Sequence, residues 1–254
     1  MNKPLALLAA AAALVSHSAF AALGTGDLVF TAFNADEDGW AMVAFADIAA
    51  GTTVYFGDNE WNGSAFNTGE SYHRWASGSS TIAAGTVIRF SKTDTTSLSA
   101  SLGTLARESV GGSTNYGTAS SDEVIYAYLG SSATAPTTFL SAITNGNFAA
   151  HGSIAGTGLA EGVNAIRLNQ NAPGTTPDFG QYNGPRSGEA SFAAYKALVG
   201  NVAHWTVDTN NGSYAATMPN TTAFAVTAVP EPQTYALMLS GLLAVGLVAR
   251  RRRG

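Results

Sequence analysis

Short runs of β-branched and aromatic residues, each closed by glycine, asparagine or aspartate, recur through most of this chain and restrict its fold more than any other feature. DLVFTAF (27–33), AMVAFAD (41–47), TTVYFGD (52–58), TVIRFS (86–91), EVIYAYL (123–129), VNAIRL (163–168), VAHWTV (202–207) and TAFAVTA (222–228) all have this form. Such segments carry strand-preferring side chains and end on residues that turn a chain. In EVIYAYL, Val124, Tyr126 and Tyr128 fall on one face and Ile125 and Leu129 on the other, the period of two that a sheet requires. The expected fold class is all-β, a β-sandwich of about eight or more short strands joined by Gly-rich connections. One helix is expected near 188–199. Ser187 is its capping candidate, Gly200 sits at its C′ position, and Phe192, Tyr195 and Val199 lie on one face. That helix should pack on a sheet edge or end. DIAAGTTVYF (47–56) is echoed by TIAAGTVIRF (81–90), with Gly51 and Gly85 able to take the positive φ of a tight turn. Two copies are too few for a solenoid, so the echo reads as two similar turn-to-strand elements in one domain.

The two ends are different in kind. Lys3, an apolar core over 5–15, and Ala19 and Ala21 in a small-x-small pattern read as a secretory signal helix over 1–21, cleaved after Ala21. The apolar run is short for a membrane anchor, the other reading of such a start. At the far end, residues 233–249 carry no charge and are mostly Leu, Ala, Val, Met and Gly. As a transmembrane helix they would extend roughly 25 Å, at the short end of a span. Arg250, Arg251, Arg252 and Arg253 follow at once, and such a cluster stays on the cytoplasmic side. Ahead of the apolar run stand Val229, Pro230, Glu231 and Pro232. Two prolines around one residue hold an extended segment, the shape a protease cleft accepts.

This order of Pro-Glu-Pro motif, apolar helix and terminal arginines resembles the PEP-CTERM sorting signal of Gram-negative bacteria. The resemblance spans only 229–254, which leaves a body over 22–228. It implies processing by signal peptidase and exosortase and export through the inner membrane. A transient membrane anchor then precedes delivery to the cell surface or extracellular matrix, in association with exopolysaccharide and biofilm. An ordinary C-terminal anchor, with its tail retained, is the alternative. The opening of the body, GDLVFTAFNADEDGWAMVAFADIAAGTTVYFGDNEWNG (26–63), with AHWT near its end, looks like a domain of exported bacterial proteins related to lamin-tail-like β-sandwiches. That likeness implies fold more than function.

Charge and composition exclude several functions. Between residues 22 and 229 there are seven Lys and Arg against sixteen Asp and Glu, so no nucleic-acid partner is expected. The chain has no cysteine, which removes Cys nucleophiles, Cys-ligated zinc and iron–sulfur clusters and leaves the core, or bound ions, to hold an exported fold.

In NADEDG (34–39), Asn34, Asp36 and Asp38 alternate and Gly39 follows, as in a calcium loop, but the twelfth position is Phe45 where such a loop needs a bidentate Glu. A β-hairpin turning at Asp38-Gly39 is the preferred reading. Calcium held by Asn34, Asp36, Asp38 and Asp58 is the alternative, and no other cofactor is expected. His73, His151 and His204 lack metal-ligand spacing, and no G-x-S-x-G elbow occurs. Ser153 follows His151 closely, although adjacency in sequence does not make a triad. Of the four tryptophans, Trp61 is the candidate for exposure, with Asn59 and Asn62 beside it able to bond sugar hydroxyls. The expectation is a surface-sorted component without catalytic residues, structural or exopolysaccharide-associated. The rivals are a secreted hydrolase, with its site near 58–74 or His151, and a calcium-stabilised glycan-binding module.

Overall fold

A computed structural model describes residues 21–208, 212–227, 237–242 and 250. The signal segment over 1–20, the Val229, Pro230, Glu231 and Pro232 motif, most of 233–249 and Arg251, Arg252 and Arg253 lie outside the described residues. Residues 237–242 are helical, with Leu237, Met238, Leu239 and Leu242 exposed. Among the described residues no helix is long and apolar enough to cross a membrane.

The described strands are β1 (Leu28–Asn34), β2 (Gly39–Ala44), β3 (Thr53–Gly57), β4 (Tyr72–Ala76), β5 (Val87–Ser91), β6 (Ser99–Ala100), β7 (Thr104–Arg107), β8 (Val124–Ser132), β9 (Ala135–Thr144), β10 (Ala165–Arg167), β11 (Phe179–Tyr182) and β12 (Trp205–Val207). They form two six-stranded sheets, ordered β12-β11-β1-β2-β5-β6 and β10-β9-β8-β3-β4-β7. All named pairings are antiparallel except β9 with β10.

The main core lies between the sheets and includes Phe30, Trp40, Phe56, Trp75, Phe90, Ile125 and Leu140. Trp40, Phe56 and Phe90 meet with ring centroids 4.9 to 5.7 Å apart. The alternation in β8 is as expected: Ile125 and Ala127 enter this core, whereas Val124, Tyr126 and Tyr128 point out of the other face of the sheet. That outer face is also covered. The β3–β4 connection supplies Trp61 and Phe66, and the long β9–β10 crossover supplies Phe148, Ile154 and Leu159, which build a second apolar cluster. A parallel pair requires such a crossover, and here it serves as a lid.

The helix, α1 (Phe192–Gly200), starts later than expected, with Ser191 at its N-cap and no side-chain capping bond. Tyr195 and Val199 are buried and Phe192 partly so, the face read from the sequence. Tyr195 stacks on Phe45, and Lys196 pairs with Asp27 at 2.8 Å, so the helix covers the start of β1. Gly200 is the last helical residue and has no positive φ. Its glycine is needed because a Cβ there would stand 2.4 Å from the Val163 carbonyl oxygen.

Two strand expectations change, and one strand was not expected. Residues 202–204 form a 3-10 turn ahead of β12. Residues 222–227 join no sheet and form a strap, with backbone bonds from Phe224 to Gly85, Ala225 to Arg186 and Thr227 to Glu189. β9, the longest of the described strands, carries Pro136, a residue that argues against a strand in sequence, and it is accommodated at an irregular register near the strand's start.

Candidate functional site

A cavity beside the β3–β4 connection has a volume of about 410 Å³ and is bordered by Asn59, Phe66, Asn67, Glu70, Tyr72, Val110 and Thr134. Its walls are built by the loop's own side chains. At the base, Asp58 accepts from the Ser71 N–H at 2.6 Å and the Ser71 hydroxyl at 2.9 Å, closing residues 58–71 into a loop. Asn59 is fully buried, donating to the Ser71 carbonyl and accepting from the Glu70 N–H. Asn62 accepts from the backbone of Ser64 and Ala65, and Asn67 donates to Glu60 at 2.6 Å.

Trp61 corrects the sequence reading. It is only 8% exposed, packs edge-on against Phe66 and Phe139, and donates its Nε1–H to the Ala155 carbonyl at 3.0 Å. A polar neighbourhood in sequence did not mean exposure, because the β9–β10 crossover folds over this side chain. Asn59 is likewise buried and bonded to backbone, whereas Asn62 is exposed and its amide oxygen accepts from Ser64 and Ala65, so Trp61 offers no open face for stacking.

Behind the loop, between the sheets, lies a set of buried ionisable groups. Burial pushes the Asp58 carboxyl from its usual 3.8 up to about 7, against the Ser71 hydrogen bonds and with Glu70 adding to the rise. Burial raises Glu123 well above its usual range, and Asp58 reinforces the shift. Glu123 accepts from the Ala119 and Val124 N–H groups, which ties the 119–124 segment to the head of β8. Burial lowers the His73 imidazole from 6.5 to about 4, and Arg107 adds to the depression. His73 Nε2 lies 3.3 Å from the Thr93 carbonyl, as a neutral Nε2–H donor would. Trp40, Asp58, His73, Tyr116 and Thr118 border a small cavity between these groups, with room for about one water.

These shifts set a pH dependence. A carboxyl whose folded pKa is raised binds its proton more tightly folded than unfolded, so stability falls as pH rises between the two values. For Asp58 that window runs from about 3.8 to about 7, and Asp38, raised to about 6, adds to it. His73, lowered, acts oppositely between about 4 and 6.5. Asp58 alone is worth at most about 4 kcal/mol. With Glu123 on the same side the carboxyls dominate, so thermal melting should occur at a higher temperature at pH 5 than at pH 7.5. Asp58→Asn should flatten that difference, and a protein more stable at pH 7.5 would contradict the assignment.

The residues read as a calcium alternative serve as tethers to segments distant in sequence. The β1–β2 hairpin is present, with Asn34 opposite Gly39 and Asp38 in the left-handed region at φ 54°. Buried Asn34 donates to the Tyr214 and Thr217 carbonyls, and Asp36 accepts from the Tyr214 N–H at 2.6 Å. Asp38 accepts from the Thr118 N–H at 2.7 Å. Asp58 belongs to the other sheet and to Ser71. The four side chains therefore do not converge, and among the described residues no three His, Cys, Asp or Glu side chains are grouped to hold a metal ion.

Near His151, no hydrogen bond joins its ring to Ser153 among the described residues. His151 Nε2 meets Asp122 at 3.0 Å, while the Ser153 hydroxyl oxygen accepts from the Ala155 N–H. Sequence reasoning missed Glu123 and Tyr72 altogether, since each looked like an ordinary strand residue.

Among known families, the model of the PEP-CTERM protein-sorting motif matches residues 228–253. The chain therefore carries this signal at its C-terminus, which marks a protein sorted to the surface by exosortase. Comparison with curated proteins and with solved structures returns no match, and the likeness of residues 26–63 to lamin-tail-like sandwiches gains no support from them.

Proposed function

We propose that this protein is a non-catalytic β-sandwich component of the cell surface or extracellular matrix, delivered by exosortase and associated with exopolysaccharide. The observation that carries the reading is the sorting motif at 228–253, joined without a linker to the strap that closes the sandwich. Thr227 still donates to the Glu189 carbonyl, and Val229 to Pro232 begin two residues after it in the chain. Five residues of extended chain reach at most about 18 Å, so a membrane protease acting at the motif works on a body held close to the bilayer. The buried carboxyls support a structural role, because Asp58 and Glu123 each fix a chain segment. The reading requires no cofactor.

The experiment is fractionation of producing cells, with mass spectrometry of the recovered protein. The expected product begins at Ala22, ends near Pro232 and is found in the surface or matrix fraction. Replacing Pro230 and Pro232 by alanine, or deleting the exosortase, should leave a longer, membrane-bound form and reduce the matrix fraction about tenfold or more. Recovery of the intact, unprocessed chain from cytosol would refute the proposal.

A further inference from the structure

We propose that the cavity at the β3–β4 loop is a binding site for ligands that carry a primary ammonium group, an amino-sugar unit or an aliphatic amine. The volume of about 410 Å³ suits a small ligand or one unit of a polymer. Its chemistry selects the charge. Tyr72 is 97% buried, its ring lying over Gly57, where an added Cβ would be 3.0 Å from the ring. Among the described residues the Tyr72 hydroxyl has no hydrogen-bond partner, it is not fully sealed from solvent, and Tyr72 borders the cavity. Phe66 meets Tyr72 with centroids 5.9 Å apart and supplies a second ring.

Glu70 stands on the adjoining wall. Its backbone N–H is fixed by Asn59, but among the described residues none donates a hydrogen bond to its carboxylate. Among the described residues neither Lys nor Arg borders the cavity; burial raises Glu70 and Tyr72, and the carboxyls of Glu60 and Asp58 respectively add to the rise. A half-buried carboxylate with carboxylate neighbours and no cation repels an anionic ligand and gains little from a neutral one. An ammonium group supplies what is absent: a charge for Glu70, a donor for the Tyr72 oxygen and a cation against the aromatic rings. At the mouth, a Cβ added to Gly69 or Gly111 would meet nothing within 4 Å, so the rim is open enough to admit a chain. The site stands on the cavity alone. It rests on the matrix reading only in favouring a polysaccharide as the source of the amine.

The test is calorimetric titration of the full-length chain, purified in detergent, with glucosamine, N-acetylglucosamine, putrescine and glucuronate. Glucosamine or putrescine should bind at least about tenfold more tightly than N-acetylglucosamine, which keeps the ring and loses the charge, and glucuronate should not bind. Glu70→Gln, which keeps the shape of a side chain that bonds nothing among the described residues and removes a charge that repels Asp58, should weaken the amines about tenfold without lowering the melting temperature. Tyr72→Phe should weaken them severalfold. Tighter glucosamine assigns the amine to a glycan, and tighter putrescine assigns it to a free polyamine; either supports the site. Equal binding of N-acetylglucosamine and glucosamine, no binding by either amine, or an unaffected Glu70→Gln variant would overturn it. Amine binding by a protein that proves not to associate with exopolysaccharide would leave the site intact and remove only the matrix reading.

Discussion

Alanine at Gly85 is expected to destabilise the protein by about 3–5 kcal/mol, while alanine at Gly51 should cost only about 1 kcal/mol. The two glycines occupy the same place in the echoed Ala-Ala-Gly-Thr turns, and both adopt positive φ, 76° at Gly51 and 88° at Gly85. A Cβ on Gly51 meets nothing within 4 Å. A Cβ on Gly85 would stand 2.2 Å from the Phe224 carbonyl oxygen and 2.9 Å from the Phe192 ring. Gly85 also accepts the Phe224 N–H at 2.8 Å. The substitution must therefore push the strap away and expose Phe224, which packs on Phe45, Tyr182 and Tyr195. Denaturant unfolding of both variants, with limited proteolysis of the strap, measures the difference. Equal losses at the two positions would show that the strap is not held as described.

Trp61→Ala is expected to cost about 3–5 kcal/mol as well. It removes the ring between Phe66 and Phe139, leaves the Ala155 carbonyl without its donor and opens the second apolar cluster. An exposed sugar-stacking tryptophan would behave in the opposite way, with binding lost and melting temperature kept. Thermal denaturation alone separates the two, and an unchanged melting temperature would refute the buried placement.

Strands with a strong local pattern were legible. β1, β2, β3, β5 and β8 each combine β-branched or aromatic residues with a Gly, Asn or Asp stop, and each lies where that pattern sets it. β9 and β11 were not legible, because their stability comes from partners. β9 contains Pro136 and is held by pairing along β8. β11 contains Gly180, where a Cβ would stand 2.6 Å from Leu168, so its glycine answers to a neighbour's side chain and not to a turn. The candidate site was less legible still. Asp58 and Trp61 drew notice from the sequence, but for calcium and for sugar stacking, whereas the structure employs one to close a loop and the other to fill a core.

By itself the sequence determined the properties that depend on neighbours along the chain: β-strand periodicity, the face of one helix, the acidic body and the sorting signal at its end. Those follow from local backbone preference and from segment-level charge and hydropathy, which need no partner. Only the tertiary structure decided which polar residues are buried, which carboxylate is left without a donor and where the cavity opens. Burial and pairing are set by residues far apart in sequence, as when a crossover near residue 155 covers Trp61 or the segment at Tyr214 takes up Asn34 and Asp36.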